Sequence, residues 1–226
     1  MTFSQCAPNH FVLDESHPLS RELYANVFSE IAPSTERNVT RLFDVSSVTE
    51  KPILFRKVIQ CLAQRYRSMD EAGPTHVLAV ESRGYLIGAP LAVELGLPLV
   101  LVRETKRFPS SFVRESQRMK VLPPSQSIRH GSIDSNARLL VVDDFVGAGR
   151  TVISALRLAD IVGAKVVEVA AVCDAVGLDG VTSIHAADNG AFRTTPILTL
   201  MRFRADRHML QEQMMVYNPR LTVSKI

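Results

Sequence analysis

The feature that most constrains this chain is a change of rhythm near residue 76. Before it, apolar residues recur at helical spacing: Leu23, Val27 and Ile31 with Tyr24 and Phe28 alongside, then residues 53–69, led by Pro52 and stopped by Gly73-Pro74. Beyond it, short apolar runs take over at 77–80, 99–102, 139–142, 166–172 and 197–201. These runs are continuous rather than alternating, as strands buried on both faces are. Helical patterns separate them at 85–95, closed by Gly96, and at 151–161, closed by Gly163. Strand–helix alternation of this kind predicts an α/β domain with a mainly parallel central sheet flanked by helices and joined by right-handed crossovers.

A length of 226 residues suits one domain, and 46% hydrophobic with 22% charged residues is enough to bury a sizeable core. The net charge of +3 is too mild to argue for nucleic acid and fits small anionic ligands. Cys6, Cys61 and Cys173 are widely spaced and odd in number, which points to free thiols in a reducing compartment. No apolar stretch reaches the roughly 18 residues of a membrane helix, because Glu94 and Glu168 interrupt the longest runs. The first ten residues lack the layout of a secretion signal. At the other end, Ser224-Lys225-Ile226 resembles the S-K-L peroxisomal address, so the expected destinations are the cytoplasm or a peroxisome-like organelle. Residues 103–131 form a long, basic connection with Pro109, Pro123 and Pro124, a length typical of lids and flaps.

In open parallel sheets, ligands bind beyond the carboxyl ends of the strands. Three features fall there: Glu81-Ser82-Arg83-Gly84, Arg103, and the stretch LLVVDDFVGAGRT over residues 139–151. In the last, an apolar strand stops at Asp143 and Asp144, whose carboxylates accept hydrogen bonds from hydroxyls or hold Mg2+. Gly147 and Gly149 leave backbone N–H groups uncovered, and a helix opening at Thr151 adds its dipole and a hydroxyl. The pattern is neither the Walker loop nor the dinucleotide fingerprint. Acids beside an anion cradle suggest one ligand carrying hydroxyls next to a phosphate.

That combination resembles the phosphoribosyl pyrophosphate signature of type I phosphoribosyltransferases. ESRGYLIGAPLAVELGLPLVLVR resembles the adenine phosphoribosyltransferase stretch D-S-R-G-F-L-F-G-P-x-L-A-x-E-L-G, and LFDVSSV over 42–48 resembles its F-R-D-I-S-P-V region. The three motifs occur in the same order, and the likeness runs from about residue 38 to 172. It implies a type I phosphoribosyltransferase fold, with 1–50 as N-terminal extension and hood, 51–205 as core and 206–226 as tail. It implies a homodimer that converts adenine and phosphoribosyl pyrophosphate to AMP and pyrophosphate, with Mg2+ held through pyrophosphate and ribose hydroxyls. In site terms, Asp143 and Asp144 hold the ribose, and Gly147, Ala148, Gly149, Arg150 and Thr151 cradle the 5′-phosphate. Arg83 and Arg103 bind pyrophosphate, and Arg41 and Leu42 face adenine.

Ala148 stands where the family has Thr, Arg150 where it has a second Gly, and Leu42 where it has an aromatic. The lid's Glu-Tyr pair falls near Gln117 and Arg118, and Glu115 is the nearest acid. These departures keep open two alternatives: a weakly active or non-catalytic nucleotide-binding paralogue of the same fold, and a transferase for another base.

Overall fold

The computed structural model describes residues 3–30, 41–104, 112–114 and 126–204. The chain opens with an antiparallel hairpin, β1 (Phe3–Ala7) and β2 (His10–Leu13). Helix α1 (Pro18–Asn26) follows, then β3 (Phe28–Glu30) and β4 (Arg41–Phe43), which pair with each other as a separate antiparallel sheet. Helix α1 thus ends before the Ile31 that its spacing predicts, because Phe28 to Glu30 leave the helix to form β3. A short α2 (Ser46–Thr49) precedes α3 (Pro52–Arg67), which places Pro at its first turn, where a missing N–H costs nothing.

The strand–helix rhythm then runs through β5 (His76–Val80), α4 (Gly84–Leu95) and β6 (Leu99–Glu104). After β6 come the antiparallel pair β7 (Phe112–Arg114) and β8 (Gln126–Arg129), and then β9 (Arg138–Val142). The chain continues through a two-residue β10 (Phe145–Val146), α5 (Arg150–Val162), β11 (Lys165–Val176), α6 (Gly180–Gly190) and β12 (Ile197–Arg204). All five apolar runs are strands. The main sheet has the order β1-β2-β12-β11-β9-β5-β6-β8-β7, with β10 paired to β11. From β2 to β6 every neighbour is parallel, and antiparallel hairpins close both edges.

Alternation along the strands divides the core. Val77, Leu140 and Val142 pack on one face with Leu23 of α1, Leu62 of α3 and Leu91 of α4. Leu78, Leu139 and Val141 pack on the other with Leu156 of α5 and Ile184 of α6. The sheet is therefore covered on both faces, as a parallel sheet requires. Gly96 and Gly163 end α4 and α5 in left-handed conformation at φ 66° and 75°. An ion pair ties α3 to the sheet: Arg65 Nε and Nη2 donate to the two oxygens of Glu168 on β11, each at 2.6 Å, and Tyr66 Oη donates to the same carboxylate at 2.9 Å. The Arg65 guanidinium also stacks 4.9 Å from the Phe3 ring and 5.4 Å from Phe11, which docks the N-terminal hairpin on the core.

The three cysteines are free, Cys6 exposed and the other two buried. Among the described residues no helix is long and apolar enough to cross a membrane. The lid positions Glu115, Gln117 and Arg118 and the tail tripeptide Ser224 to Ile226 lie outside the described residues.

Candidate active site

The site lies where β5, β6 and β9 end. Asp143 and Asp144 follow β9 and are only 6% and 3% exposed. The turn that carries them is pinned by the backbone: Asp143 N–H donates to the Ala170 carbonyl at 3.0 Å. The Asp144 carbonyl accepts from Val172 and Cys173 at 3.1 and 3.2 Å. Asp143 Oδ1 accepts from the Asp144 amide at 2.9 Å, and its Oδ2 accepts from the Thr151 hydroxyl at 3.2 Å. The Thr151 hydroxyl expected at a phosphate is thus spent on orienting an acid.

Burial holds the Asp143 carboxyl well above the usual carboxylate range, and repulsion from Asp144 adds to it. Burial also raises Asp144, against the opposing charge of Arg83. Arg83 Nε lies 2.8 Å from Asp144 Oδ2, yet that oxygen makes no hydrogen bond of proper geometry. The contact is electrostatic, and a buried oxygen is left with an acceptor site open. Arg83 itself is 54% exposed, so its guanidinium is available beyond the acid.

Two glycines make this juxtaposition possible. A Cβ on Gly84 would meet the Val142 carbonyl at 2.7 Å and Asp143 Cα at 3.2 Å. The start of α4 therefore approaches the acid turn at a distance only glycine permits. On the other side, Gly149 has φ +79°, and a Cβ there would lie 2.8 Å from the Gly180 carbonyl. Gly149 alone in this loop carries the left-handed conformation; Gly147 does not. Arg150 is the first residue of α5, in ordinary helical backbone, so replacing the family's second Gly does not demand positive φ there. Its side chain is exposed, as is Ala148.

Arg103 is exposed on β6, next to Val102, the last residue that pairs with β5. The Glu81–Ser82 peptide between β5 and Arg83 is cis. Arg41 and Leu42 lie on β4, opposite Glu30 and Ser29. Sequence reasoning thus places Arg83, Asp143, Asp144, Gly149 and Thr151 in one cluster. It names Gly84 only as part of the strand-end loop and misses Gly180; the role of both is close approach, which a glycine at each element start could have signalled. No group of three or more His, Cys, Asp or Glu able to cage a metal occurs among the described residues. The open Asp144 oxygen suits a Mg2+ ion that takes one or two carboxylates and draws its other ligands from water and substrate.

The phosphoribosyl transferase domain model matches residues 44–186, which span the acids, both arginines and the glycine loop. An adenine phosphoribosyltransferase of Edwardsiella ictaluri is 36% identical over 143 residues, covering 63% of this chain and 76% of the relative. Adenine phosphoribosyltransferase 1 of Triticum aestivum is 32% identical over 137 residues, covering 61% and 74%. The crystal structure of the Leishmania tarentolae adenine phosphoribosyltransferase superposes with a TM-score of 0.77 at 34% identity, over 89% of this chain and 94% of that one. The Trypanosoma brucei enzyme, solved with AMP, pyrophosphate and ribose-5-phosphate, gives 0.78 at 28% identity, over 92% and 90%. With the acid turn, glycine loop and paired strand-end arginines in these positions, the chain belongs to the phosphoribosyl transferase domain family and has its type I fold.

Proposed function

We propose that this protein is an adenine phosphoribosyltransferase of purine salvage, transferring phosphoribosyl from phosphoribosyl pyrophosphate to adenine. The observation that carries the reading is the contact between Arg83 and Asp144, which joins a diphosphate-type loop to a ribose-type acid pair in one cluster. A purine nitrogen forms a bond to the anomeric carbon as the bond from that carbon to pyrophosphate breaks. The electron pair leaves on pyrophosphate, and the nitrogen's proton passes to water or to the departing pyrophosphate. Asp143 and Asp144 hold the ribose hydroxyls. Residues 147–151 hold the 5′-phosphate with backbone N–H groups at the start of α5. Arg83 and Arg103 take the charge that grows on pyrophosphate, and Arg41 and Leu42 present backbone groups to the base. Asp144 would hold Mg2+ together with substrate oxygens, and the ion would neutralise phosphate charge. Activity of this kind is positioning and electrostatics more than proton chemistry.

Labelled adenine with phosphoribosyl pyrophosphate, with and without Mg2+, tests this directly. AMP should form from adenine and not from hypoxanthine, guanine or uracil. Binding of AMP without turnover would instead favour a nucleotide-binding paralogue.

The working form is a homodimer in this reading. Helix α4 supports it: Leu86 and Val93, 43% and 84% exposed, lie with Ala89 and Pro90 at i, i+3, i+4 and i+7 spacing on its outer side. A large–small–small–large stripe is complementary to itself under a two-fold axis, and the exposed Arg67–Glu94 ion pair borders it. Val93→Glu should convert a dimer to a monomer in sedimentation; a wild-type monomer would discard the assignment. Ser224-Lys225-Ile226 is proposed as a peroxisome-type address. Its removal from a fluorescent fusion should make an organellar signal diffuse, and an unchanged pattern would reject it.

A further inference from the structure

Arg83 and Arg103 can grip one diphosphate only if their spacing is fixed, yet each lies where regular pairing ends. Arg83 lies in the turn after β5. Strand β6 parts from β5 at the Val80–Val102 pair, and Arg103 and Glu104 pair instead with β8. Three hydrogen bonds bridge the gap. The Val102 carbonyl accepts from the Glu81 amide at 3.1 Å and from the Tyr85 hydroxyl at 2.5 Å. The Glu81 carboxylate accepts from the Glu104 amide. Arg103 is the residue between these anchors, and Arg83 lies between Glu81 and Tyr85 in the sequence. Two short segments, 81–85 and 102–104, are thereby stitched together on both sides of the arginine that each carries.

We propose that Glu81 and Tyr85 are positioning residues that set the spacing of Arg83 and Arg103, and so the affinity for the diphosphate group. This rests on the phosphoribosyl transfer reading above. Neither side chain has to touch the substrate. The half-buried Tyr85 hydroxyl stays a donor across the working range, because burial pushes it up to about 12, with the Glu81 charge raising it and Arg103 opposing.

Tyr85→Phe removes one donor and leaves the ring in place. It should weaken binding of inorganic pyrophosphate and raise KM for phosphoribosyl pyrophosphate, each by about 5-fold, the scale of one net hydrogen bond. KM for adenine, AMP affinity and the melting temperature should stay at wild-type values. Glu81→Ala should act like Tyr85→Phe. Glu81→Gln, whose amide oxygen still accepts from the Glu104 N–H, should remain within about twofold of wild type. The double variant Tyr85→Phe/Glu81→Ala should lose less than the product of the single losses, since both loosen the same strand end. Unchanged pyrophosphate affinity in Tyr85→Phe and Glu81→Ala, in a wild-type chain that forms AMP, overturns the clamp alone. An equal fall in adenine, AMP and pyrophosphate affinity also overturns it, since that marks a general structural defect. A wild-type chain that neither binds pyrophosphate nor forms AMP overturns the clamp and the functional reading together.

Discussion

Two acid–arginine groups in this molecule use the same chemistry and are finished to different degrees. Around Glu168, both carboxylate oxygens are taken, by Arg65 at 2.6 Å each and by Tyr66 at 2.9 Å. Around Asp143 and Asp144, only Asp144 meets an arginine among the described contacts, that arginine is half-exposed, and the Asp144 oxygen facing it makes no hydrogen bond of proper geometry. A buried carboxylate with both oxygens engaged in three short hydrogen bonds has little left to offer a ligand. Leaving one open costs stability, which a protein recovers only when hydroxyls or a cation arrive. The first group holds α3 and the N-terminal hairpin to the sheet; the second, in the proposed reading, is a receptor.

Breaking the finished group should give the largest effect on the fold. Glu168→Ala would strand Arg65 and Tyr66 in a buried setting, at a cost of about 3–5 kcal/mol. Denaturant unfolding measures this, and AMP affinity per folded molecule should not move. A variant that loses AMP binding while keeping stability would reverse the assignment of roles.

Gly149→Ala comes next. Its φ of +79° and the Gly180 carbonyl 2.8 Å from the new Cβ set a penalty of about 1–3 kcal/mol, which falls on the phosphate loop. AMP affinity should drop by more than stability does, because the loop shifts before the core yields. Asp144→Asn should spare stability and cost about 10-fold in affinity for phosphoribosyl pyrophosphate, the scale of one charged hydrogen bond. An unchanged affinity would remove Asp144 from the ribose site.

Much of this contrast was legible in the sequence on one side and little on the other. The acid pair and its loop sit in consecutive residues, so a strand, two acids, a glycine loop and a helix can be read in order. Glu168 and Arg65 are over a hundred positions apart, and a single Glu inside an apolar strand does not name its partner. The same reason hides β1 and β2: HFVL is too short and too mixed to announce a strand, and it becomes one by pairing with β12. At Arg150, where the family has glycine, the sequence cannot say which of several neighbours takes the left-handed turn. Gly149 takes it, and the helix simply starts one residue earlier.

The last effect is on stability at Asp143, and its sign is opposite to those at Glu168 and Gly149. Burial raises this carboxyl well above its ordinary value of 3.8, so the folded chain binds a proton more tightly than the unfolded one does. Stability from that proton is fully present below the unfolded value and is lost as pH rises through the raised folded one. Asp143→Asn keeps an acceptor for the Asp144 amide and removes the titration. Ligand-free, the variant should therefore melt above wild type, by a margin that grows as pH rises from the carboxylate range toward neutrality. Ribose hydroxyls donate to the charged form, so nucleotide binding should expel the proton and tighten with rising pH in wild type only. Calorimetry of AMP binding in buffers of different ionisation enthalpy reads that proton release. A ligand-free wild type whose stability rises with pH over the same window, relative to Asp143→Asn, would mean that the pair is already satisfied and that the difference between the two acid clusters is one of exposure alone.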